Sequence, residues 1–452
     1  MDLLTTIPAF LIALGLLILV HELGHFWVAR WCGVKVLRFS VGFGRPIARW
    51  VRGPDRTEWV IAAVPYGGYV RMLDERETES GPIAPADLPR AFNRQPVARR
   101  AAIVVAGPTA NLLFAVLTYC AINWVGTTDL RAVAGQPPAG TLAAQAGLTE
   151  GDLVLRIDRR PIRSWSDLRW SLLQHAGERD RPQFTVRGAD GAERTLILDL
   201  SSVETDQPDS DWFARIGLQP GGADVIVRAA TPDDPAALAG LQAGDRIVSI
   251  SGVAVKSAAD VTRIVSAAAR EPLQFRIERG GQAVPIQITP FEAVAADGKH
   301  VGRVGISVSN EFRDKVVVRD GPVDGLQHAI SRTWETSWFS LKMLGRMVTG
   351  RASWHNLSGP VTIADVAGQS ARIGLLAYLN FLALVSISLG VLNLLPVPVL
   401  DGGHLLYYAI EVVKGSPPSQ MWLELGQRVG IGLLVVLTAL ALYNDVTRLL
   451  FQ

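Results

Sequence analysis

Cysteine is nearly absent. The 452 residues hold two, Cys32 and Cys120, one at the end of an apolar run and one inside another. Two lone thiols exclude a disulfide framework and a cysteine-rich zinc site, and both read as small core residues. Charge is sparse as well. Asp, Glu, Lys and Arg make up 19% of the chain, and 44 basic against 42 acidic residues leave a net +2, so no nucleic-acid partner is implied. No Lys or Arg precedes the first apolar run. With no basic n-region and no A-x-A site behind it, that run reads as a retained span, not a cleaved leader.

What is abundant is apolar. A hydrophobic share of 49% and a mean hydropathy of +0.24 suit several membrane spans plus a soluble part. Leu4–Trp27, Ala101–Val125, Leu375–Val399 and the shorter Ile431–Tyr443 are candidate spans, a crossing needing about 20 residues. Arg30, Lys35, Arg38, Arg45, Arg49 and further arginines up to Arg100 crowd the loop between the first two. Basic loops stay inside, so this loop is expected on the cytoplasmic side. Both termini and the long region after the second span are then expected outside.

His21-Glu22-Leu23-Gly24-His25 lies where the first apolar run ends. Residues four apart share a helix face, so His21 and His25 can grip one metal ion, as in the H-E-x-x-H pattern of zinc hydrolases. Glu22 stands beside them as a general base for a water activated by that metal. Polar groups in so apolar a segment are costly and usually functional.

The loop behind the motif alternates β-prone runs (Val36–Val41, Ile47–Val51, Glu58–Val64, Tyr69–Leu73) with turn signals at Gly42, Gly44, Gly53-Pro54, Pro65 and Gly67-Gly68. Such a sheet either offers a free edge to an extended peptide or forms a surface hairpin that closes the fold. Farther on the chain repeats itself. Ala146-Gly147-Leu148-Thr149-Glu150-Gly151-Asp152 recurs as Ala239-Gly240-Leu241-Gln242-Ala243-Gly244-Asp245, 93 residues on, and Asp167 matches Asp260. Each copy reads as short helix, G-D turn, strand, tight turn and helix. This resembles the PDZ domains of bacterial envelope proteases, which take extended C-terminal peptides by strand addition. The candidate carboxylate loops are Ile216-Gly217-Leu218 and Val304-Gly305-Ile306. The pair either reads peptides or acts as a steric gate.

Between Gly325 and Thr349, Leu326, Ile330, Trp334, Trp338, Leu341, Leu344 and Val348 recur at helical spacing. This is a helix lying in the membrane interface or one packed on the second repeat. A break at Leu357-Ser358-Gly359-Pro360 precedes a second amphipathic piece, Val361 to Ile373.

Two histidines leave a catalytic zinc site one protein ligand short. The best candidate for the third is Asp401, in Asn393-Leu394-Leu395-Pro396-Val397-Pro398-Val399-Leu400-Asp401-Gly402-Gly403-His404. Two prolines break the span there, and Asp401-Gly402-Gly403 allows an unusual turn. An aspartate at membrane depth needs a partner, which a metal would supply. His404 is an alternative ligand, or a residue that orients Asp401.

H-E-L-G-H, the N-x-x-P-x-P-x-L-D-G-G-H run, Gly107-Pro108-Thr109-Ala110-Asn111 and the tandem repeat occur in the order of the site-2 protease family of intramembrane zinc metalloproteases, which the chain resembles over nearly its whole length. The resemblance implies a multi-span α-helical membrane protein of four transmembrane helices, with a membrane-associated β-loop and two α+β PDZ domains. The expected division is 1–35 (first span), 36–100 (loop), 101–126 (second span), 127–220 and 221–310 (PDZ domains), 311–373 (amphipathic helices), 374–412 (third span) and 413–452 (fourth span). It further implies one zinc ion held by His21, His25 and Asp401, with Glu22 as catalytic base and His404 and Asn111 supporting the ligands. Substrate would meet Asn393, Ser388 and the loop turns Gly42-Phe43-Gly44 and Gly67-Gly68-Tyr69. Ser388 departs from the family, where a second asparagine stands. The implied substrate is a single-span membrane protein already trimmed elsewhere, such as an anti-sigma factor, together with signal-peptide remnants. The implied setting is the lipid of a bacterial inner membrane, with the PDZ domains on the periplasmic side.

Two other classes meet objections. A metal-ion or proton transporter has no use for Glu22 or a PDZ pair. An inert PDZ scaffold would not keep Glu22.

Overall fold

The first helix, α1 (Leu3–Trp31), buries Thr6, Ala9, Ala13, Leu17, Ile18, Glu22, Phe26 and Ala29 along one face. Their three- and four-residue spacing is that of a helix packed on one side, and Leu4, Ile12 and Trp31 are exposed on the others. Glu22 therefore belongs to the packed face. The computed structural model describes residues 3–76, 83–178, 180–201, 212–294, 299–350, 354 and 358–451; Leu357, expected at a helix break, lies outside them. The chain forms two units, Met1–Thr127 with Arg319–Gln452, and Thr128–Val318.

In the first unit, the runs expected as four short strands join into two long ones, β1 (Val36–Arg52) and β2 (Thr57–Met72). Gly42 (φ +91°), Gly44 (φ +86°) and Gly67 (φ +122°) bend the strands without ending them. Phe39 pairs with both Val70 and Trp59, and Trp59 also pairs with Trp50. Residues 57–62 thus lie between 36–41 and 46–52, and 68–72 form an outer edge. Phe26, Val34, Val36, Phe39 and Ile103 pack this sheet onto α1. Helix α2 (Val97–Val125) meets α1 where Gly24 leaves no room for a side chain against Ala106 and Ala110, a close approach of the kind that holds helices together in lipid.

Strand β3 (Thr127–Leu130) begins on the last residue of the first unit's opening segment and leads into the second unit. The first repeat comprises α3 (Leu142–Gln145), β4 (Leu153–Ile157), β5 (Arg160–Pro161), α4 (Trp165–Glu178), β6 (Gln183–Arg187), β7 (Glu193–Ile197) and α5 (Trp212–Arg215), with strand order β5-β4-β6-β7. The second comprises β8 (Ala223–Ala230), α6 (Pro235–Leu238), β9 (Arg246–Ile250), β10 (Val253–Ala254), α7 (Ala258–Ala267), β11 (Leu273–Arg279), β12 (Gln282–Ile288), β13 (Phe291–Val294), β14 (His300–Arg303) and β15 (Ile306–Phe312). Its sheet order is β12-β11-β9-β8-β15. Strand β16 (Lys315–Val318) returns to pair with β3, so the unit runs past residue 310.

The repeated aspartate is structural. Asp152 accepts from Thr149 N (2.8 Å) and Arg194 Nη2 (2.5 Å). Asp245 accepts from Gln242 N (2.8 Å) and from Arg279 Nε and Nη2 (both 2.7 Å). Burial pushes the Asp245 carboxyl up, but Arg279 and the Gln242 amide outweigh it and hold it below the usual range. The matched Asp167 and Asp260 each sit in the first turn of a helix beside a serine, with Asp167 N on Ser164 Oγ and Ser257 Oγ on Asp260. The carboxylate-loop triplets are also equivalent. Ile216 O accepts from Ala143 N and Val304 O from Ala236 N, with Gly217 at φ +87° and Gly305 at φ +72°.

Back in the first unit, α8 (Pro322–Val348) sets its small face, Gly325, Ala329, Thr333 and Thr336, inward and packs Ala329 with Ala115, Tyr119, Ala383 and Ile387 of α2 and α10. Trp334 and Trp338 are exposed. Next come α9 (Pro360–Ile373), α10 (Leu375–Asn393), α11 (Asp401–Lys414) and α12 (Gln420–Phe451). Asp445 of α12 accepts from Gly359 N (2.9 Å) and Val361 N (2.8 Å), capping α9 from another helix. Among the described residues, α1, α2, α10 and Gln420–Thr447 are long and apolar enough to cross a membrane. The last is longer than its apolar stretch suggested, because Glu424 and Arg428 lie within the helix.

Candidate metal centre

His21 and His25 point to the same spot because they are one helical turn apart. Their Nε2 atoms are 3.2 Å from each other. Asp401 Oδ2 is 3.2 Å from His21 Nε2 and 3.5 Å from His25 Nε2. Tetrahedral zinc ligands at about 2.0–2.1 Å from the ion stand roughly 3.3–3.4 Å apart, so these three atoms are spaced to share one ion. Asp401 Oδ2 is buried without a hydrogen-bond donor. Three inward-facing lone pairs in an apolar surround are unfavourable unless a cation joins them, so the donor set fits zinc. Among the described residues it is the one cluster of this kind.

The supports around the histidines agree. His25 Nδ1 lies 2.8 Å from Ile103 O, and donating there leaves Nε2 as a lone pair. His21 Nδ1 lies 3.2 Å from the Asn111 amide, whose buried Oδ1 lacks a partner. With that amide turned so that Oδ1 accepts from Nδ1–H, the orphan is satisfied and both rings take the same tautomer. Gly107 of α2 faces the imidazoles, and a Cβ there would collide with His25 Nε2. Glu22 is buried. The outer strand passes directly over it at Gly68, where a Cβ would stand 2.9 Å from Glu22 Cγ.

Asp401 reaches the histidines through a turn of a different kind from the one expected. The left-handed residue is Val399 (φ +89°), not a glycine. Gly402 and Gly403 are helical and buried. They serve close approach instead, since side chains there would strike the carbonyls of Leu394, Leu395 and Val397.

The sequence of peptidase family M50 is matched by residues 9–437. The chain belongs to that family. It is a site-2 protease by family and a metalloprotease by activity class. At 45% identity over 98% of both chains it is similar to a protein of Ralstonia nicotianae named as a zinc metalloprotease. At 40% identity it is similar to the regulator of sigma-E protease of Salmonella typhimurium, covering 99% of this chain and 100% of that one. The Escherichia coli regulator of sigma-E protease is 39% identical over 98% of each. A solved PDZ domain from an SdrC-like protein of Listeria innocua covers 19% of this chain and 92% of its own, at 25% identity and TM-score 0.17.

The remaining expected residues of this family member lie outside the ligand-atom cluster. Asn393 closes α10 and is half-buried. Ser388 Oγ donates to Leu384 O in its own helix (3.1 Å). Phe43 stacks on Tyr69 with ring centroids 6.1 Å apart, and a Cβ at Gly67 would strike Phe43. His404 turns its ring edge-on to Tyr407 at 6.3 Å and is not in the ligand cluster. Sequence reasoning missed Ser386, whose buried hydroxyl donates to Asn111 O (2.8 Å). It also missed the role of Gly107. The signal for Gly107 was present in Gly24, Ala106 and Gly107, small residues on helices that must nearly touch.

Proposed function

We propose that His21, His25 and Asp401 hold one zinc ion and that Glu22 is the catalytic base of an intramembrane endopeptidase. The observation that carries this reading is the convergence of three ligand atoms from α1 and the start of α11, with Glu22 next to His21. Zinc, when bound, lowers the pKa of water toward ~7 and polarises a peptide carbonyl. Glu22 takes the proton from the attacking water and passes it to the leaving nitrogen as the C–N bond breaks. Its burial under Gly68 keeps bulk water from competing for that proton.

The substrate must be extended to expose its carbonyls, since a helix hides them in its own hydrogen bonds. The edge at 68–72, whose Gly68 lies against Glu22, supports pairing with such a strand. Phe43, Gly67, Gly68 and Tyr69 shape that edge, and Gly42, Gly44, Asn393 and Ser388 are the further residues proposed to meet the substrate. The names of the relatives support a substrate in sigma-E regulation, a pre-trimmed single-span protein of the anti-sigma factor class, with signal-peptide remnants as further substrates. The basic loop before α2 supports a cytoplasmic position for the metal site in a bacterial inner membrane, with both termini and the PDZ-type repeats periplasmic. Those repeats then exclude untrimmed substrates or hold an extended C-terminal peptide.

Glu22→Gln tests the chemistry. Purified in detergent with a model transmembrane substrate, it is expected to keep its zinc and lose at least about 10²-fold in kcat. Wild-type turnover by that variant would sink the mechanism.

A further inference from the structure

A largely buried ion pair stands away from the candidate metal centre. Arg100 Nη2 and Nη1 donate to Glu411 Oε1 (2.7 Å) and Oε2 (3.2 Å), and their side chains are only 12% and 15% exposed. Arg100 Nε donates to Gln95 O (3.0 Å), and its guanidinium lies 4.9 Å over the Tyr408 ring. The fork is therefore fixed along its edge and on its face. Lysine could not reproduce that arrangement.

Both partners lie on the elements that build the metal centre. Glu411 is on α11, whose first residue is Asp401. Arg100 is on α2, which presents Gly107 to the imidazoles and Asn111 to His21. Positions seven and eleven residues apart fall on one helix face, so Arg100, Gly107 and Asn111 form a single line along α2. Ten helical residues rise about 15 Å, and seven to eleven rise roughly 10–16 Å. With Glu411 tied at Arg100, the start of α11 falls level with Gly107 and Asn111, where the histidines are. Buried ion pairs contribute little net stability, and fixing register is their best-attested use.

We propose that Arg100 and Glu411 are positioning residues for the metal centre: their ion pair sets the register of α11 on α2 and so brings Asp401 to His21 and His25. This rests on the zinc-ligand reading above.

The test uses the full chain in detergent, loaded with zinc, and follows transfer of the metal to a chromophoric chelator. E411Q, which keeps shape and removes the charge, is expected to release zinc about tenfold faster than wild type, as loss of a ligand support does. Its kcat should fall while KM holds. R100K should show the same loss, and the swap R100E/E411R, which restores the pair without the Gln95 and Tyr408 contacts, should recover part of the retention. Wild-type zinc release in E411Q and R100K, or a swap that restores the thermal midpoint without restoring retention, would overturn the proposal. Should E411Q not fold, R100K carries the same readings. Asp401→Ala separates the two claims. If it keeps zinc, the ligand reading falls. If it loses zinc while E411Q is unaltered, only the register proposal falls.

Discussion

His21 and His25 stand on one unbroken helix, whereas Asp401 opens a helix that follows a Pro-rich turn. In the first half, geometry comes from local repetition, because any helix puts residues four apart on one face. Helix α2 then only has to stay clear, which Gly107 does. In the second half nothing local suffices. Val399 adopts a left-handed φ that costs a β-branched residue about 1–3 kcal/mol. Gly402 and Gly403 let the turn fold back on its own helix, and a remote ion pair holds α11 against α2. The lesson is that one half is specified by spacing and the other by tertiary packing, so the two should fail differently.

The largest effect should come from the three proposed ligands. His25→Ala and Asp401→Ala are each expected to lose bound zinc on dialysis, measured as metal per chain, with proteolysis falling to background. Asp401→Ala that retained a full complement of zinc would remove the second half from the centre altogether. Next come the glycines. Gly107→Val places methyl groups in the space of the imidazoles, so it should abolish zinc binding while helicity by circular dichroism stays near wild type. Gly402→Val strikes backbone on its own turn, and overpacking there should cost about 1–3 kcal/mol, lowering the thermal midpoint along with zinc content. Equal damage to the fold from both would break the contrast between a half that tolerates change in its fold and a half that does not. Smaller again is Asn111→Ala, which leaves all three ligands and removes the partner of His21 Nδ1. About a tenfold loss of zinc affinity is expected, and an affinity within twofold of wild type would mean the amide does not fix the ring.

That contrast also explains what could be read from the residues alone. The four long apolar helices were legible because twenty apolar residues have few other uses, and the helix pair of histidines because its signal is five residues long. The repeat was legible in A-G-x-x-x-G-D, yet its arginine partners were not. Arg194 and Arg279 lie on later strands, and nothing in the run 146–152 points to them. Asp401 was found by chemistry, as a carboxylate with no apparent reason to be at membrane depth. The turn that delivers it was misread, since glycines at 402 and 403 suggest positive φ and the structure uses them for contact. The turn signals at Gly42, Gly44 and Gly67 were read as strand ends for the same reason: composition reports that a residue is permissive, not which permission the fold uses.

The smallest expected effect concerns two serines on α10, two residues apart. Ser388 drew notice because the family resemblance implies an asparagine there, and its hydroxyl proton is held by Leu384 O within the helix. If Ser388 meets the substrate as proposed, its hydroxyl oxygen accepts one hydrogen bond from a substrate N–H, a neutral bond of about 0.5–1.5 kcal/mol net. Ser388→Ala should therefore raise KM by roughly two- to tenfold and leave zinc retention and stability unchanged. Ser386 is buried and bonds across helices to Asn111 O, the residue that faces His21. Ser386→Ala should do the reverse, costing about 1 kcal/mol of stability and weakening zinc retention slightly, with KM intact. If the two variants moved the same quantity, α10 would not divide its polar groups between the substrate side and the histidine half, and the separation between locally and remotely supported ligands would need another carrier.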